Sequence, residues 1–131
     1  MSDETKKTFP VLGGEFAAIV DICFKTAEEH GFHAARMSQD ARIARNMTVL
    51  ALFTSEIGEA IEAMRHVKPD SYFSDMHKKD GYYEELADLF IRFCDHLGEL
   101  AAEDPSFDFS KVLLKKMEYN LSRPKMHGKG V

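Results

Sequence analysis

A chain of 131 residues, 44% hydrophobic and 30% charged, has the length and balance of one folded domain (residues 1–131) around one core. Its formal charge of −5 argues against stable nucleic-acid binding, and no apolar run approaches the ~20 residues that span a bilayer. The opening MSDETKKTFP lacks the apolar stretch of a secretory leader, so a cytoplasmic protein is expected.

In chain order, Pro10, Gly13 and Gly14 mark a loop, and residues 1–14 are expected to be flexible. A first helix is predicted from about Glu15 to His30, with Phe16, Ile19, Val20, Cys23 and Ala27 on one face and Gly31 as its stop. FHAARMSQD connects it to a second helix over roughly Arg42–Val67, which ends at the Lys68–Pro69 step. KPDSYFSDMHKKDG reads as a polar loop long enough to move. A third helix starts near Asp80, taken as its N-cap, and runs to about Ala102. EDPSFD is a turn, and a fourth helix spans roughly Phe109–Leu121 until Arg123–Pro124 ends it. The tail, residues 124–131, is again expected to be flexible. No segment alternates as a strand does, so the fold class is all-α, a four-helix bundle. Cys23 and Cys94 both fall in apolar helical runs and read as free buried thiols. Several helix faces are too apolar for a lone chain of this size, which points to an oligomer.

Three glutamates stand at steps of three in the second helix: Glu56, Glu59 and Glu62. On a wheel of about 100° per residue, Val49, Ala60, Phe53, Met64, Ile57, Leu50 and Ile61 fill an arc from roughly 20° to 140° beside Glu56. Leu52 and Ala63 lie on its other side. Glu56 is therefore inside the apolar surface, Glu59 borders it and Glu62 points outward. The third helix repeats the device with Glu85 and Asp88 at the edge of Tyr82, Leu86, Leu89, Phe93 and Leu97. Carboxylates at a core edge repel each other and lose hydration, so they require a cation. Converging oxygens without a matching set of bases suit Mg²⁺ or Mn²⁺. One such pair alone is ordinary on a solvated helix face, where Glu62 with His66, and Glu84 with Arg92, would be simple surface pairs. Two pairs, each against an apolar arc, favour a metal site. A di-iron bundle needs Glu-x-x-His, and no Glu here is followed by His at the third position.

From Lys111 onward the chain is basic: Lys111, Lys115, Lys116, Arg123, Lys125 and Lys129 face one acid, Glu118, and His127 adds a further cation. Such a cluster suits a polyphosphate, although a frayed basic helix end is the plainer reading of the tail taken alone. Aromatic groups at Phe16, Phe32, Tyr72, Phe73 and Tyr82, together with His33, are candidates to contact a base, and each is as readily a core or surface residue.

SEIGEAIEA, EELADLFIR and KKMEYNLSRPKMHGKG together resemble the MazG-like all-α nucleoside triphosphate pyrophosphohydrolases, a group that includes dimeric dUTPases and dCTP pyrophosphatases. The match covers roughly Val49 to Lys129. The resemblance implies metal ligands at Glu56, Glu59, Glu85 and Asp88, with Glu59 and Glu56 catalytic. It implies phosphate binding by Lys116, Asn120, Arg123, His127 and Lys129. It further implies a homodimer or homotetramer that uses Mg²⁺ to cleave a nucleoside triphosphate between its α and β phosphates, in nucleotide-pool house-cleaning. Many members carry an acid directly before the first of these glutamates, and Ser55 stands there in this chain. A non-catalytic helical nucleotide-binding or adaptor protein is the competing expectation.

Overall fold

A computed structural model describes residues 14–31 and 37–124. Among them are α1 (Gly14–Glu29), α2 (Gln39–Arg65), a 3-10 turn (Pro69–Ser71), α3 (Tyr72–Met76), α4 (Tyr82–Glu103) and α5 (Phe109–Ser122), with no strand. The all-α class holds, and no described helix is long and apolar enough to cross a membrane. Both α1 and α2 pack along α4, which is the spine of the structure.

The helix ends follow local chemistry. Ser38 caps α2 by accepting from the Ala41 N–H at 3.2 Å, which starts that helix three residues earlier than the apolar pattern suggested. Gly31 closes the first helix in the left-handed region (φ 77°), the stop expected of it. Asp80 is not the cap of α4. It sits at φ 58°, and Gly81 takes the N-cap position. The Glu84 carboxylate instead folds back to accept from the Asp80 N–H, so Glu84 is a capping residue and not a partner of Arg92. Asp108 caps α5 by accepting from the Lys111 N–H at 3.4 Å.

The stretch read as a mobile polar loop is folded. Asp75 in α3 is only 6% exposed. Its Oδ2 accepts from the Lys68 N–H (3.0 Å) and Ser71 Oγ (2.7 Å), and Oδ1 meets Lys78 Nζ at 2.7 Å. Lys78, then the two hydrogen bonds, hold its carboxyl well below the usual carboxylate range. One buried acid thus ties the turn together, a feature that a count of polar residues does not reveal.

The core is small: Val49 and Ala60 of α2, Met76 of α3, and Cys94 and Leu97 of α4. Cys94 is fully enclosed, Cys23 of α1 hydrogen-bonds to it, and neither is bridged. Phe53 extends the core towards Phe93 and His96, each ring centroid 6.0 Å away. α5 is anchored at its first residue, Phe109, which meets Phe93 (5.5 Å) and Phe16 (6.0 Å). Val112, Tyr119 and Leu121 farther along it stay exposed.

α2 shows how the apolar arc divides. Val49 and Ala60 are buried and Phe53 and Met64 half-buried, whereas Leu50, Ile57 and Ile61 are exposed. With Ile43 and Met47, the exposed residues form a stripe within about 80° of arc and about 27 Å long. At its far end Ile57 and Ile61 border a groove shared with Tyr82, Leu86 and Leu89 of α4.

The α1–α4 contact is closest at Gly98. A Cβ there would lie 2.5 Å from Phe24 Cβ and 2.8 Å from Cγ, so the two helices approach only because Gly98 has no side chain. Gly98→Ala is expected to lower stability by about 1–3 kcal/mol in urea unfolding. An unchanged midpoint would mean that the first helix does not rest on this position.

Candidate metal centre

The α2–α4 seam brings Glu56, Glu59 and Glu85 together. Each offers a carboxylate oxygen, and the three oxygens lie within 4.8 Å of one another. Glu56 is 7% exposed, Glu85 half-buried and Glu59 exposed, in the order that the wheel assigns to Glu56 and Glu59. Glu62 faces solvent and pairs with Arg65 and His66 at 3.1 Å, so it is a surface acid. Asp88 is exposed and stands one turn beyond Glu85, outside the tight group of three but near enough to act on its charge.

The electrostatics of the group are strained. Burial and then the neighbouring Glu59, Asp88 and Glu56 raise the Glu85 carboxyl above its ordinary pKa, and Glu59 hydrogen-bonds to it. Glu85 therefore tends to keep a proton that an isolated carboxyl would lose. One base enters the group: Arg92 Nε donates to Glu56 Oε1. The second oxygen of Glu56 and Oε2 of Glu85 are buried without any hydrogen-bond partner. A buried carboxylate oxygen left unpaired is costly. Two of them in one cluster, beside a third acid, are the donor set that a hard divalent cation satisfies, and the residues fit Mg²⁺ or Mn²⁺.

A cavity of about 370 Å³ adjoins the acids and is walled by α1, α2 and α4. Glu56, Asp88 and Arg92 line it on the acidic side. Thr26 of α1 and His30 just after it, Arg45, Val49, Leu52 and Phe53 of α2, and Ile91 and Asp95 of α4 contribute to the rest of the wall. The combination of apolar walls and a few polar groups suits a small organic ligand that carries charge at one end.

The chain matches no protein-family model, no curated protein and no solved structure. The case for the centre stands on its own geometry.

The predicted phosphate ligands are placed elsewhere. Lys116, Asn120 and Arg123 lie on or just after α5, none lines the cavity, and none is joined to the acids by an ion pair or hydrogen bond among the described residues. Lys116 Nζ and Arg123 Cζ instead stand 5.0 and 5.5 Å from the Tyr119 ring centroid. His127 and Lys129 lie outside the described residues, as do Phe32 and His33. Phe16 packs on Phe109, Tyr72 sits edge-on to Phe73, and Tyr82 lies beside Tyr83, so none of these lines the cavity. Phe53 is the aromatic that does. Sequence reasoning missed Arg92 as a site residue. The signal was present, since Arg92 follows Asp88 by four and Glu85 by seven and so shares their helix face.

The raised pKa of Glu85 has a definite sign. The folded chain binds this proton more tightly than the unfolded chain. Its contribution is full below the ordinary value of about 4.3 and is lost as pH rises through the folded value. In EDTA, the Glu85 contribution to stability should therefore fall from acidic pH towards neutrality, opposite in sign to that of Asp75, whose carboxyl is held low. Glu85→Gln should lessen that fall and raise the unfolding midpoint at neutral pH, as read by urea titration across pH.

Proposed function

We propose that this protein is a Mg²⁺-dependent nucleoside triphosphate pyrophosphohydrolase of the MazG-like kind, acting as an oligomer. The observation that carries the reading is the pair of orphaned buried oxygens, on Glu56 and Glu85, next to Glu59, with Glu56 also lining a cavity of about 370 Å³. Glu56, Glu59 and Glu85 would hold the cation, with Asp88 completing the set from the next turn. Mg²⁺ supplies charge for the phosphate oxygens and lowers the pKa of the attacking water.

The residues divide the remaining work by burial. Glu56 is held by Arg92 and has little freedom to move, which suits a ligand rather than a proton carrier. Glu59 is the exposed member of the three, which gives it the readiest access to a water, so it accepts the proton of the attacking water. Water oxygen bonds to the α phosphorus, the bond from that phosphorus to the bridging oxygen breaks, and pyrophosphate leaves with the electron pair. Ser55 adds no carboxylate, which leaves the base role to Glu59. The apolar walls of the cavity, with Phe53 among them, exclude water around the nucleoside end.

The exposed stripe Ile43, Met47, Leu50, Ile57 and Ile61 supports a second copy seated along α2. In such an assembly the α5 cations, Lys116 and Arg123, act on a neighbour's site together with Asn120, His127 and Lys129. This division of labour is consistent with their distance from the cavity of their own chain.

Two measurements test this reading. Pyrophosphate release from a panel of nucleoside triphosphates should require Mg²⁺ and stop in EDTA. Glu56→Gln and Asp88→Asn should each lose about 100-fold or more in rate while keeping their helical circular dichroism; wild-type rates in both would reject the site. Light scattering should give a dimer or larger for the wild type, and Ile57→Glu with Ile61→Glu should shift it to a smaller, less stable species. A monomeric wild type would remove the shared-site scheme.

A further inference from the structure

Arg92 is bonded in an unusual way for a purely structural ion pair. A guanidinium facing a carboxylate pairs most strongly through two parallel N–H groups. Here Nε alone reaches Glu56, at Oε1, and Oε2 of the same carboxylate is left buried and unpaired. Both partners therefore keep unused capacity. The Glu56 carboxylate belongs to the cluster with Glu59 and Glu85. The Arg92 side chain is 43% exposed and lines the cavity, and its other nitrogens have no partner among the described residues.

The other arginine of the cavity wall is bound differently. Arg45 donates Nε to Glu99 Oε1 at 3.4 Å and Nη2 to Oε2 at 3.3 Å, and Glu99 is buried. His30 is turned back on its own helix, with Nδ1 2.8 Å from the Thr26 carbonyl oxygen. Arg92 is thus the cation of the cavity wall that touches the acids and still has donors to offer a ligand.

We propose that Arg92 couples the two halves of the site: through Nε it fixes Glu56 with Oε2 turned to a divalent cation, and through its terminal nitrogens it binds a phosphate group of the ligand in the cavity. This inference rests on the metal reading above and adds to it a phosphate ligand within the chain itself, distinct from the α5 cations. Arginine fits both tasks because its planar fork presents donors on two edges at once, whereas a lysine ammonium is a single point of charge. An outer partner that holds a ligating carboxylate typically alters metal affinity by about 10–100-fold when removed. A charged hydrogen bond to phosphate is worth about tenfold or more in affinity.

The test is calorimetry on the full chain with two probes, Mn²⁺ alone and inorganic pyrophosphate alone, for wild type, Arg92→Ala and Arg92→Lys. Arg92→Ala should weaken Mn²⁺ binding by about 10-fold or more and pyrophosphate binding by about tenfold. Arg92→Lys should recover part of one affinity and not both, because one ammonium cannot hold Glu56 and the anion together. Circular dichroism and melting of each variant check folding, and Arg92→Lys retains the charge if the alanine variant unfolds. Unchanged affinities in both variants overturn the proposal. So does tighter Mn²⁺ binding in Arg92→Ala, which would make the arginine a competitor of the metal, and so does loss of metal affinity with pyrophosphate binding intact. If the wild type binds pyrophosphate through Arg92 but binds no Mn²⁺, the metal reading falls while the anion contact of Arg92 stands.

Discussion

Glu56 is carried into the α2–α4 seam by the same helix face that supplies Val49 and Ala60 to the core. A carboxylate in that position must be compensated, and only half of it is: Arg92 takes one oxygen and leaves the other. The neighbouring Glu85, desolvated and set beside Glu59, Asp88 and Glu56, holds its proton more tightly. The seam is therefore complete as packing and incomplete as electrostatics. That imbalance separates it from the other buried acids. Asp75 is satisfied by Lys68, Ser71 and Lys78, and Glu99 by Arg45. Where an acid serves the fold, its oxygens are occupied; where oxygens remain open, they converge.

The same helix links the site to assembly. α2 carries a broad apolar arc, of which the part that meets α4 is buried and the rest is exposed. The stripe from Ile43 to Ile61 lies on the other part of the arc, away from Glu56. A partner seated on it would stiffen the helix that carries Glu56 and Glu59 without blocking the cavity. The helices approach closely at Gly98 on the α1 side, and an apolar stripe stays exposed on the α2 side.

Much of this was legible in the residues. The helical period placed all four long helices within a few residues, and the wheel separated buried Glu56 from Glu59 and Glu62, which are both exposed. Errors arose where a side chain overrode the pattern. Ser38 extended α2 backwards, and Glu84 capped the start of α4 from within, which displaced Asp80. Asp75 folded a segment whose composition reads as loop, since one buried acid gathers donors from positions that the apolar period does not sample. The aromatic candidates on the described helices packed on one another because ring–ring contact within the chain was closer to hand than the cavity.

By itself the sequence determined the elements and the faces, because both follow from the spacing of residues along one helix. It determined that acids on two helices would border apolar arcs, and that the basic residues would gather after Lys111. Only the tertiary structure decided which acids meet, since convergence depends on the relative rotation and offset of α2 and α4. It brought Glu85 to Glu56 and Glu59, left Asp88 a turn away, sent Arg92 across the seam instead of along its own helix, and set Lys116 and Arg123 apart from the acids they were expected to join. Periodicity fixes direction about one axis, whereas a site requires distances between two.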